Sequence, residues 1–101
     1  MEVMTREQEH KLTVKLSGDL DHHAAKATVA ELELALERRV PTQLVLDFAD
    51  VTFMDSSGIA VVLRAQRRMT ALGGCTVLHS VPKQAQKVFD AAGITRYVSI
   101  E

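Results

Sequence analysis

The spacing of apolar residues in this chain changes period repeatedly, and that alternation narrows the folds open to it. Leu12, Val14 and Leu16 alternate with Lys11, Thr13 and Lys15, which is the period-two pattern of a half-buried strand. From His22 the period lengthens. Ala25, Val29, Leu32, Leu36 and Val40 recur at three- and four-residue steps, so an amphipathic helix is expected, with these residues facing the core. Asp21 is placed to cap its start, and Pro41 stops it. Residues 44–48 are apolar on both faces apart from Asp47, which suits a central strand covered by helices.

The same change of period occurs twice more. A helix is expected from about Ser57, with Ile59, Val62, Leu63, Met69 and Leu72 facing inward and Gly73-Gly74 as its stop. A strand over Cys75–His79 follows, then a helix with Pro82 as its first residue, Ala85, Val88, Phe89 and Ala92 on its inner face, and Gly93 at its end. Residues 97–100 read as a closing strand. Residues 2–7 read as a short strand before the first, joined to it by a turn at 8–10. The order is β-β-α-β-α-β-α-β. It predicts one α/β domain over residues 1–101, with a mixed, mostly parallel sheet and helices packed on it.

Composition removes several functions. Net charge is −1 and the two signs are interleaved, with no basic stripe of the kind nucleic-acid binders carry. No apolar run approaches the length needed to span a bilayer, and the charged N-terminus lacks the apolar segment of a secretory signal. A soluble, cytoplasmic protein is expected. The single cysteine, Cys75, has no internal disulfide partner and is expected to be ordinary core.

Two strand-to-helix turns carry the chemistry. GDLDHH (18–23) and FMDSSG (53–58) both leave strands at the carboxyl edge of a parallel sheet, where α/β folds place their sites. Asp19, Asp21, His22, Asp55, Ser56 and Ser57 are therefore expected to gather at one end of the molecule. Asp and Ser are good N-caps, so capping accounts for one oxygen at each turn. Two successive serines exceed that need: one is expected to cap and the other to project. Gly58 keeps the surface flat and admits another backbone.

Other chemistries fit these residues less well. A hydrolase using Ser56 with His22 or His23 as base would need a nucleophile elbow, G-x-S-x-G, and an oxyanion hole, and the sequence has neither. Asp21, His22 and His23 are adjacent on a helix and diverge by about 100° per residue, so they do not converge on a metal. His79, late in a strand, reads as structural. No phosphate-binding loop ending in Lys-Ser or Lys-Thr is present.

LSGDLDHH (16–23), LVLDFADVTFMDSSG (44–58), IAVVLRAQRRMTALGG (59–74) and VPKQAQKVFDAAGI (81–94) resemble, in order, the anti-sigma factor antagonists of the STAS-domain class, most closely the stage II sporulation protein AA type. The resemblance implies a single STAS-like domain that acts as a regulator and requires no cofactor. Its partner would be an anti-sigma factor that is also an ATP-using serine kinase, bound so that the sigma factor is released. The kinase would phosphorylate Ser56, the first serine of D-S-S-G, and end binding, and a PP2C-type phosphatase would reverse the modification. The partner surface would be Asp21, His22, His23, Asp55, Ser56, Ser57 and Gly58. Stress-response antagonists share the D-S-S-G turn, and STAS modules also serve transporters and other assemblies. The family often continues past the last strand into a further helix, so helix cover is expected to be thinner near Glu101.

Overall fold

The computed structural model describes residues 1–101. Its elements are β1 (Glu2–Gln8), β2 (Lys11–Leu20), α1 (His22–Arg39), β3 (Gln43–Met54), α2 (Ser57–Ala71), β4 (Cys75–His79), α3 (Lys83–Ala92) and β5 (Ser99–Ile100), with one 3-10 turn, Ile94–Arg96, before β5. The five strands lie in the order β1-β2-β3-β4-β5. β1 runs antiparallel to β2, and every later pair is parallel.

The β1–β2 hairpin closes through Glu9 and His10, both with positive φ (50° and 68°), which is the backbone twist a two-residue hairpin loop requires. Each later strand is reached through a helix. Because the strands are laid down in sequential order, crossovers of one hand put all three helices on the same face. Burial agrees: Leu12, Val14 and Leu16 of β2 and Leu44, Leu46 and Phe48 of β3 are buried, while the residues between them are half-exposed or exposed. β3 is thus covered on one face only, not on both as residues 44–48 suggested. Val45 and Asp47 belong to the other face.

The core lies between this face and the helices. Leu32 and Leu36 of α1, Val61, Val62, Ala65 and Met69 of α2, and Ala85 and Phe89 of α3 close over the strands. The Phe48 and Phe89 rings meet edge to face with centroids 5.5 Å apart, which anchors α3 to β3. Outside the core, Glu33 of α1 pairs with both Arg64 and Arg68 of α2 at 3.2 Å. No helix is long and apolar enough to cross a membrane.

Several residues sit differently from their sequence pattern. Val40 is 55% exposed, because the chain turns left-handed there (φ 45°) to end α1 ahead of the buried Pro41. Leu72 caps α2 and is exposed. Cys75 is exposed and not core: it opens β4 opposite Gln43, on the face without helices. Pro82 is the N-cap of α3, one position before its first helical residue. Tyr97 follows the 3-10 turn and is exposed, so the closing strand is Ser99–Ile100 alone.

Candidate functional site

β2 and β3 run further than their alternation suggested, to Leu20 and Met54. Their register slips between Lys15 and Ser17 and again between Gly18 and Asp19, and Gly18 has a φ of 103° that only glycine takes without strain. The two irregularities leave β3 with extra residues, yet Leu20 and Met54 still face each other as a buried pair at the sheet's carboxyl edge. The turns that follow are therefore neighbours. Asp19 accepts a hydrogen bond from Thr52 Oγ1 at 2.6 Å, and the Asp55 N–H donates to the Leu20 carbonyl at 3.3 Å.

Asp21 caps α1 as its sequence position implies: it is extended, and its Oδ1 accepts the Ala24 N–H at 3.0 Å. The start of α2 differs from expectation. Ser56 holds the N-cap position with helical dihedrals (φ −63°, ψ −16°), and its side chain makes no capping hydrogen bond. Capping by a serine normally needs extended backbone, which aims the oxygen at the first turn. Asp55 does the work in its place. Its Oδ1 accepts the Ser57 N–H at 2.8 Å and its Oδ2 accepts the His22 N–H at 3.0 Å, so one carboxylate holds the starts of α1 and α2 together. The Ser57 N–H first, then the Ser57 hydroxyl and the His22 N–H, outweigh partial desolvation and hold the Asp55 carboxyl below the usual aspartate range.

Ser56 is exposed and Ser57 is half-buried. Gly58 is buried, contrary to the expectation that it lies in a flat outer surface. A Cβ there would come within 2.4 Å of the Met54 side chain and 3.3 Å of Leu20, so the missing side chain makes room for the core below the turn. His22 and His23 are exposed, with ring centroids 5.6 Å apart, and His22 engages Asp55 through its backbone, not its imidazole.

Sequence reasoning missed Gln84 of α3. Its Oε1 accepts the Met54 N–H at 2.9 Å and its Nε2 donates to the Met54 carbonyl at 2.8 Å. An isolated amide on an amphipathic helix gives no signal in a sequence. Ser56, Ile59, Gln84, Lys87 and Val88 line an open groove between α2 and α3.

A family model described as "Mlab, STAS domain" matches residues 3–100. The chain belongs to the STAS domain family. Among curated proteins, this STAS domain is 33% identical to the anti-sigma F factor antagonist of Lysinibacillus sphaericus, over 93% of this chain and 78% of that protein. Among solved structures it is similar to the anti-sigma factor antagonist SpoIIAA in its unphosphorylated form, with a TM-score of 0.84 at 28% identity over 99% of this chain and 88% of that one. The Bacillus cell fate determinant SpoIIAA in its phosphorylated form gives a TM-score of 0.75, also at 28% identity, over 99% of this chain and 91% of that one. The sheet order and the three helices of this STAS domain thus match the SpoIIAA fold.

Proposed function

We propose that this STAS domain is an anti-sigma factor antagonist whose carboxyl edge binds an anti-sigma factor, releases the sigma factor it holds, and is switched off by phosphorylation of Ser56. The observation that carries the reading is the division of labour at the α2 start: Asp55 satisfies the helix, which leaves the exposed Ser56 hydroxyl free of a capping duty. The resemblance of the whole domain to SpoIIAA, solved in both unphosphorylated and phosphorylated forms, supports it.

Unmodified Ser56 is small and neutral and can lie under a partner, together with Asp21, His22, His23, Asp55 and Ser57. The anti-sigma factor acts as a serine kinase: the γ-phosphoryl group of ATP passes to Ser56 Oγ, the hydroxyl proton is released and ADP leaves. A phosphate adds about −1.5 to −2 charges. The positive end of α2 favours an anion by about 0.3–1 kcal/mol, but the Asp55 carboxylate already occupies that end. Burying a second anion beside Asp55 under a partner costs several kcal/mol in repulsion and desolvation. At about 1.4 kcal/mol per tenfold, affinity falls by roughly two orders of magnitude or more. A PP2C-type phosphatase restores the active form, so the protein serves as substrate and switch in the cytoplasm.

A hydrolytic role for Ser56 has less support, because its D-S-S-G turn is not the G-x-S-x-G elbow that holds a nucleophilic serine. The test is co-expression with the anti-sigma kinase of the same genome, followed by mass spectrometry and calorimetric binding with ADP present. One phosphate is expected, at Ser56. Ser56→Ala is expected to bind and stay unmodified. Modification at Ser57 instead, or no binding by the unphosphorylated protein, overturns the reading.

A further inference from the structure

The geometry points to Gln84 as a positioning residue for the serine turn, making α3 part of the switch; this rests on the function proposed above. β4 ends at His79, opposite Asp47, so the rest of β3 has no strand partner on that side. Peptide groups of successive strand residues point to opposite sides. The Asp55 N–H bonds the Leu20 carbonyl on the β2 side, so the N–H and C=O of Met54 face the other way, where β4 is missing. The Gln84 amide takes that place. It supplies one acceptor and one donor to one residue, as a neighbouring strand would, at 2.9 and 2.8 Å.

Met54 is next in sequence to Asp55, which holds both helix starts, and Ser56 follows. The Met54 side chain is fully buried against Gly58, so the residue is fixed by packing below and by Gln84 at its backbone. Releasing the amide frees the last peptide before the turn without touching the core. Gln84 and Ser56 also line the same groove, so whatever settles there meets the side chain that holds the turn.

Three variants test this. Gln84→Ala removes both bonds, and Met54 amide exchange is expected to speed up on the order of tenfold beyond any change in Leu46 exchange, which with the urea midpoint reports only the global loss from the two bonds. The Asp55, Ser56 and Ser57 amide resonances are expected to shift. Phosphorylation of Ser56 by the anti-sigma kinase of the same genome is expected to show KM raised several-fold with kcat little changed. Gln84→Glu keeps the acceptor but aims a carboxylate at the Met54 carbonyl, so it is expected to behave like Gln84→Ala at neutral pH. On acidification its protonated carboxyl regains a donor, and the Met54 amide is expected to return toward its wild-type shift. Gln84→Met, matched in length with neither group, should show no such return. Unmoved turn resonances in Gln84→Ala, or turn resonances that move with unchanged kinetics, overturn the inference. If the wild-type protein accepts no phosphate at Ser56, the functional reading fails, while the amide measurements still decide whether Gln84 holds the turn.

Discussion

Asp55 Oδ2 accepts the backbone N–H of His22 at 3.0 Å, a bond between residues 33 positions apart, while Oδ1 of the same carboxylate accepts the Ser57 N–H. The two motifs that carry the site are therefore joined by one side chain. That bond has a pH signature. The folded protein holds the Asp55 carboxyl below its usual value, so its contribution is fully present above the unfolded-state pKa of about 3.9. It is lost as pH falls through the folded pKa. Asp55→Ala is expected to be less stable than wild type near pH 7, with the gap narrowing as the pH falls below the unfolded-state value of about 3.9. Urea melts across that range measure it, and an equal gap at both ends would show that the charge does not hold the turns.

Gly58 makes the complementary case from packing. Gly58→Ala is expected to destabilise the domain by about 1–3 kcal/mol, because the fully buried Met54 must yield to a new methyl group. Better helix propensity offsets up to about 1 kcal/mol of this. Chemical denaturation measures the net change. A stability gain would mean that Met54 repacks freely.

The two serines are expected to separate cleanly. Ser57 serves α2 through its backbone N–H, which Ser57→Ala retains, so that variant should keep phosphorylation at Ser56 with a stability loss of about 1 kcal/mol at most. Ser56→Asp should bind the anti-sigma factor poorly, though better than phosphoserine, since one carboxylate carries about half the charge. Radiolabel transfer from ATP and calorimetry read both. Loss of labelling in Ser57→Ala with retention in Ser56→Ala would reassign the site.

Asp21 is a demonstrated cap, and Asp21→Ala is expected to lose about 0.5–2 kcal/mol of stability. A larger loss in partner affinity than that is expected, because its turn shares the edge with Ser56. Normal binding by a less stable variant would confine Asp21 to capping.

The element order was legible because each element keeps its own hydrophobic period, and that period follows from how side chains leave a strand or a helix. Where the period breaks, legibility stops. The slips in register near Ser17 and Gly18 hid the last residues of β2 and β3, since a bulge shifts inward residues by one and reads as a loop. Val40 and Cys75 belong to their patterns by type but sit at element ends, Val40 turned out by a left-handed backbone and Cys75 on the sheet face without helices. The capping role fell to Asp55 and not to a serine because dihedrals decide which oxygen reaches the helix, and Asp, Ser and Ser are alike as cap-forming residues. Gln84 acts through backbone atoms of a residue 30 positions away, a contact that no local pattern encodes.

The two rims of the sheet parallel to its strands are built differently. β1 presents Glu2, Arg6, Glu7 and Gln8 to solvent, and β5 is two residues long. A foreign strand laid along β1 meets charged side chains of both signs, and along β5 it finds too little ladder to hold it. The charges along β1 and the shortness of β5 therefore disfavour edge-to-edge joining of the sheets of two copies of this chain.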